Sequence, residues 1–146
     1  MDPSILIVVD SLHLIFTAAF CCLLWTVQLL VYPQFLEVKG NDFANYHANH
    51  MRRMMPLVAV IFLGEGSMAT ISFAIFFQHQ AALQSASVLL FAINTLLTFL
   101  LFVPLHRNLQ LARTDSQLRS LVRLNWLRTL CSSARLFVVL LAITGE

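Results

Sequence analysis

The chain has 146 residues, of which 59% are hydrophobic and only 11% charged, with a formal net charge of +2 at pH 7. A soluble domain carries about 25% charged residues, so the composition argues against a water-soluble globule, and so small a charge gives no basis for nucleic-acid binding. The apolar residues are grouped in long runs, which predicts a polytopic all-α membrane protein, one domain over residues 1–146.

Four spans are expected. The start, Met-Asp-Pro-Ser, has no basic n-region, so a cleaved signal peptide is not expected. Span one covers residues 5–31 and should end at Tyr32-Pro33, because a proline disfavours helical geometry in the residue before it. A polar connection (34–41) leads to an interfacial helical segment over 42–55, rich in His, Tyr, Asn and Arg. Span two covers 56–77, with Gln78-His79-Gln80 as a short turn. Span three covers 83–103 and should stop at Pro104. A basic connection over 106–120 precedes span four, 121–144. The fold expected is a four-transmembrane-helix bundle with an additional polar segment between helices 1 and 2.

The nine Lys and Arg are all in connections one and three or continue from them into span four. The positive-inside rule then puts both connections in the cytoplasm and both termini outside. Cys21, Cys22 and Cys131 have neither zinc nor redox spacing and read as small buried apolar residues.

Polar groups inside the spans point to a site. At about 100° per residue, Asn125, Arg128, Ser132 and Arg135 fall on one stripe of span four. An arginine facing lipid costs at least about 2.5–3.5 kcal/mol, so the stripe should face protein. Glu65, flanked by Gly64 and Gly66, lies between the two arginines in depth and should pair with Arg128 or Arg135. Span one carries its own stripe, His13, Thr17, Cys21, Leu24 and Gln28, extended by Tyr32; His13 reads as structural. In span three Asn94 and Thr98 share a face.

His47 and His50 are spaced i, i+3 and share a helix face. With His106 and Glu65 they form a candidate metal set, for iron, copper or zinc, or a cluster that needs no metal. The bland alternative is an interfacial helix among lipid headgroups. The candidate catalytic groups are His47, His106, Glu65 and Arg128. Gln28, Tyr32, Asn94, Asn125, Trp126 and Arg135 are candidates for holding a cofactor or substrate, with Trp25 beside them.

The string Trp25-x-x-Gln28-x-x-x-Tyr32-Pro33-x-Phe35 is followed by Phe43-x-x-Tyr46-His47-x-x-His50-x-x-Arg53, Glu65, Pro104-Leu105-His106-Arg107 and Asn125-Trp126-x-Arg128-Thr129 with Ser133-x-Arg135. This set resembles a family of small, largely uncharacterised bacterial four-helix membrane proteins. More distantly it is similar to the anthrone-oxygenase-like membrane proteins, some of which oxidise polycyclic aromatic substrates. The resemblance implies an oxidative chemistry on a lipophilic ring and assigns no residue a role.

Three functions are therefore expected, in this order: a membrane oxidoreductase or oxygenase acting on an aromatic or quinone-like molecule; an accessory subunit of a respiratory or photosynthetic membrane complex; a small oligomeric carrier or channel. The partners expected are lipids, a lipophilic small molecule, and other membrane subunits or further copies of the chain. No Walker, Rossmann, HExxH or nucleophile-elbow motif is present.

Overall fold

The computed structural model describes residues 2–145, and among them every regular element is helical. The N-terminal helix α1 (Pro3–Thr26) runs through a π-helical turn (Val27–Val31) into α2 (Tyr32–Glu37). Helix α3 (Gly40–Leu97) runs through a second π-helical turn (Thr98–Phe102) into α4 (Val103–Leu111), and α5 (Asp115–Thr144) comes last. Three continuous stretches, Pro3–Glu37, Gly40–Leu111 and Asp115–Thr144, are long and apolar enough to cross a membrane by length and composition.

The ends obey ordinary capping chemistry. Asp2 accepts from the Ser4 amide at 2.9 Å, with Pro3 in the first helical position. Thr114 Oγ1 accepts from the Gln117 amide at 3.2 Å, which starts α5 six residues before the apolar run at Leu121.

Two expected helix ends are overturned. Neither Tyr32-Pro33 nor Pro104 stops its helix. A proline inside a helix lacks an N–H and clashes with the carbonyl four residues back. Here the preceding turn is widened by one residue in both places. The Tyr32 amide reaches Val27 O and the Val103 amide reaches Thr98 O, each five residues back. The wider turn makes room for the ring, and the helix continues. Nor is residues 42–55 a separate interfacial segment: α3 begins at Gly40 and passes straight through Pro56. The carbonyl that Pro56 leaves without a donor belongs to Arg52, at an exposed position.

The middle stretch folds back on itself. Gln80, in the expected turn, has non-helical dihedrals (φ −135°, ψ 40°). In a straight helix Ser72 and Gln84 would lie about 18 Å apart and Phe62 and Phe91 about 43 Å. Instead Ser72 Oγ donates to Gln84 Oε1 at 3.2 Å, and the two phenyl rings are 5.4 Å apart. Residues 40–79 and 81–97 are thus two antiparallel legs.

α1 packs between the first leg and α5. Phe20 meets Phe62 at 6.0 Å, and Trp25 Nε1 donates to Ser133 Oγ at 3.1 Å. Gly64 permits the closest approach, since a Cβ there would come within 2.2 Å of the Phe16 ring. A buried apolar core (Val27, Tyr32, Phe35, Phe43, Phe102, Leu109, Leu118 and Leu121) gathers where α2, α4 and the start of α5 meet. Both basic connections converge on that end.

Candidate functional site

The buried face of α5 carries Asn125, Arg128, Thr129, Ser132 and Arg135, so the polar stripe does face protein. The polar residues do not converge on one cavity, however. They divide into two groups about 10 Å apart along α5, the rise between Arg128 and Arg135.

The first group lies at the basic end. The Phe43, His47 and His106 rings stack at 5.4 and 5.2 Å. Phe35, fully buried, presses edge-on against His47 at 5.5 Å and His50 at 5.0 Å. This packing aligns a chain of polar atoms. His47 Nε2 lies 3.0 Å from His106 Nδ1, and His106 Nε2 lies 3.1 Å from Tyr32 Oη. A neutral imidazole donates from one nitrogen and accepts at the other. With Tyr32 as donor, the protons sit on His106 Nδ1 and then on His47 Nδ1, which is buried without a partner. Reversing every donor gives the opposite setting. The three side chains therefore form a relay for one proton.

The histidines lie outside the apolar runs, and the fold holds them neutral. Burial presses His106 down to about 3, helped by His47, His50 and the Arg128 charge. Burial also lowers His47, with His50 adding to it, and burial alone lowers His50.

Arg128, beside the Tyr32 hydroxyl, is 8% exposed. Its guanidinium lies 4.5 Å over the Phe102 ring and donates at 3.4 Å to Asn125 Oδ1, while Nε has no partner. No carboxylate pairs with it among the described residues. Asn125 Nδ2 in turn donates to Gln28 Oε1 at 2.9 Å, and Asn94 Nδ2 to the Arg128 carbonyl at 3.2 Å. Gln28, Asn94 and Asn125 thus position the arginine.

A cavity of about 320 Å³ opens beside this group. Its wall is mostly apolar, with Leu24, Met51, Met54 and Phe102 among its members. Tyr32, His50, His106 and Arg128 supply its polar side, together with Thr98, Arg107 and Gln110. An apolar chamber with a few convergent polar groups is the usual form of a small-molecule site.

The second group is centred on Arg135, 1% exposed. Glu65 pairs with it, which decides between the two arginines. Arg135 Nε also donates to Ser87 O at 3.0 Å and Ser87 Oγ at 3.3 Å, and Nη2 donates to His13 Nε2 at 3.2 Å. Its guanidinium lies 5.2 Å from the Phe91 ring centroid.

This arrangement corrects the expected site. Glu65 belongs with Arg135 and His13, so it joins neither the histidines nor a ligand set with His47, His50 and His106. Among the described residues no three His, Cys, Asp or Glu side chains are grouped so as to hold a metal ion. Trp25 and Trp126 pack edge to face at 5.6 Å and are not part of the cavity wall. His13, expected to be structural, is hydrogen-bonded to Arg135. The sequence reading missed Ser87 and the methionines of the cavity wall. Met51, Met54 and Met55, next to the histidines, were the signal for the wall, since methionine suits an adaptable apolar surface. No protein-family model, curated protein or solved structure matches the chain.

Proposed function

We propose that the chain is a four-pass bacterial inner-membrane protein that oxidises a lipophilic aromatic or quinone-like molecule, held in the cavity beside Tyr32, His106 and Arg128. The observation that carries this reading is Arg128: a buried cation, without a carboxylate partner, on the polar side of an apolar chamber. A buried charge is ordinarily paired. A ligand oxygen that becomes anionic during reaction supplies that partner, and a guanidinium aimed at it stabilises the developing charge.

The remaining parts fit the same chemistry. A ring with an acidic C–H or O–H enters from the membrane with its oxygen toward Arg128. The Tyr32 hydroxyl takes the proton as it gives its own to His106 Nε2, and His106 passes its Nδ1 proton to His47. The enolate or phenolate is then electron-rich enough to react with dioxygen. In an anthrone-type ring the methylene carbon loses two hydrogens and gains one oxygen atom as a carbonyl, and the second oxygen leaves as water. The resemblance to the anthrone-oxygenase-like proteins favours the same class. The reversal at Gln80 supports four crossings, and the basic connections favour both termini outside.

Titration of purified protein in nanodiscs with 2-naphthol and anthrone tests the reading, together with oxygen uptake. Binding should weaken at least about tenfold in Arg128→Met, because a hydrogen bond to a charged group contributes about 1.5–3 kcal/mol. His106→Gln should keep binding and lose oxygen uptake. If neither ring binds, or Arg128→Met binds as tightly as the parent, this function is wrong.

A further inference from the structure

The two polar groups are joined by a stretch that the proposed chemistry does not use. On α5, Ser132 lies three residues from Arg135; on α1, Thr17 lies one turn from His13. Both sit on the cavity side of the Glu65–Arg135 pair. Their side chains are buried, at 1% and 0% exposure. Ser132 Oγ and Thr17 Oγ1 have no hydrogen-bond partner, and neither has Asn94 Oδ1. Glu65 Oε2 is also unpartnered, although the other oxygen of the same carboxylate is held by Arg135. Buried polar atoms are rarely left unsatisfied, and the usual remedy is bound water with about three hydrogen bonds. Thr17 and Ser132 lie between the two groups, Asn94 stands at the Arg128 end and Glu65 at the Arg135 end.

A polar line also continues away from the cavity. Ser87 holds Arg135, and Gln84 lies one turn beyond it. Ser72, two turns past Glu65, donates to Gln84 at 3.2 Å, and all three side chains are buried. The line ends at the reversal, where Gln80 Nε2 donates to Ala142 O at 2.9 Å.

We infer that a water-mediated proton path runs along this line, from the Tyr32–His106–His47 relay to the Gln80 reversal, with Glu65 as the residue that takes up and releases the proton. The inference rests on the four-pass reading and is independent of the ring oxidation. The groups facing Glu65 are Arg135 from α5 and, through Arg135, His13 from α1 and Ser87 from the second leg of α3. Arg135 occupies Oε1 and leaves Oε2 to accept. As the carboxyl O–H forms at Oε2, an O–H of a hydrated proton at Thr17 or Ser132 breaks. The reverse exchange toward Ser87 and Gln84 restores the carboxylate. No other bond changes, and the proton gradient sets the direction.

The test uses the full chain in phosphatidylcholine–phosphatidylglycerol vesicles with a trapped pH dye, driven by a potassium gradient and valinomycin. Proton uptake should exceed that of protein-free vesicles and be unchanged when sodium or chloride is replaced. Glu65→Gln should abolish the excess, and Glu65→Asp should keep part of it. Glu65→Gln leaves Arg135 without its counter-charge, so Thr17→Val with Ser132→Ala gives a second arm that keeps the ion pair and should also cut the flux. Uptake no faster than in empty vesicles, or wild-type flux from a folded Glu65→Gln or from the double variant, overturns the path. Impermeant maleimide labelling of His79→Cys and Asn108→Cys in the same vesicles keeps the two readings apart. Labelling from one side overturns four crossings; labelling from opposite sides without flux overturns the path alone.

Discussion

At Gly64 a single missing side chain sets how closely α1 and the first leg of α3 approach. A Cβ there would lie 2.2–2.6 Å from three atoms of the Phe16 ring, whereas one at Gly66 would meet Phe91 at 3.0 Å. Overpacking typically costs about 1–3 kcal/mol. Phe16 is half-buried and can swing outward, so Gly64→Ala should fall near the lower end and still exceed Gly66→Ala. Thermal melting in detergent orders the two. His106 gives the pH prediction. Its folded value is about 3, below the usual 6.5, so the unfolded chain binds the proton first. Stability is therefore intact above about pH 6.5 and lost as pH falls toward about 3. In His106→Gln the melting temperature should fall less over that window; equal slopes would remove His106 as the cause. At this scale the sequence was informative where a cost was large. Two arginines in an apolar run had to be buried, and they are. Depth alone fitted Glu65 to either arginine; the partner is Arg135, which Ser87 and His13 of other helices also hold.

The two π-helical turns are the element-level device behind the cavity. Each contributes to its wall, through Val27 in one and Thr98 and Phe102 in the other. Each also sets the rotation of the helix beyond it, because one extra residue turns a helix by about 100°. Tyr32 directly succeeds the first turn and His106 lies four residues beyond the second. Deleting Leu29 should therefore keep the circular dichroism of a helical chain while turning Tyr32 away from His106 and abolishing 2-naphthol binding. Retained binding would show that the turn does not set the alignment. The sequence marks both places with a proline, but the usual meaning of that mark is a stop. Absorbing the ring needs one backbone rearrangement that no residue type announces, so the helix ends were misplaced while the neighbouring Tyr32 and His106 were found.

For the molecule as a whole, the apolar runs and the turn over 78–80 were legible because hydropathy and length are properties of a segment alone. The separation into two polar groups was not. Residues 47 and 106 become neighbours only when the chain reverses at Gln80 and α4 continues past Pro104. Glu65 parts from them because its leg has already risen about 27 Å from His47, eighteen residues at about 1.5 Å each. That distance also explains why Glu65 does not join His47, His50 and His106 in the expected set.

The reversal at Gln80 bears on how the chain enters a membrane during synthesis. With one non-helical residue between the legs, the turn has no long hydrophilic segment to carry across, and Gln78, His79 and Gln80 bring no Lys, Arg, Asp or Glu. The first leg also brings Glu65, which is unfavourable in lipid until protein surrounds it. Insertion of the two legs together, as a hairpin, lets the second leg cover part of that carboxylate before α5 has left the ribosome. Arrested chains ending after residue 80 should then partition poorly into membranes in a coupled translation assay, and chains ending after residue 111 should partition well. Equal insertion of both would mean that the legs enter one at a time.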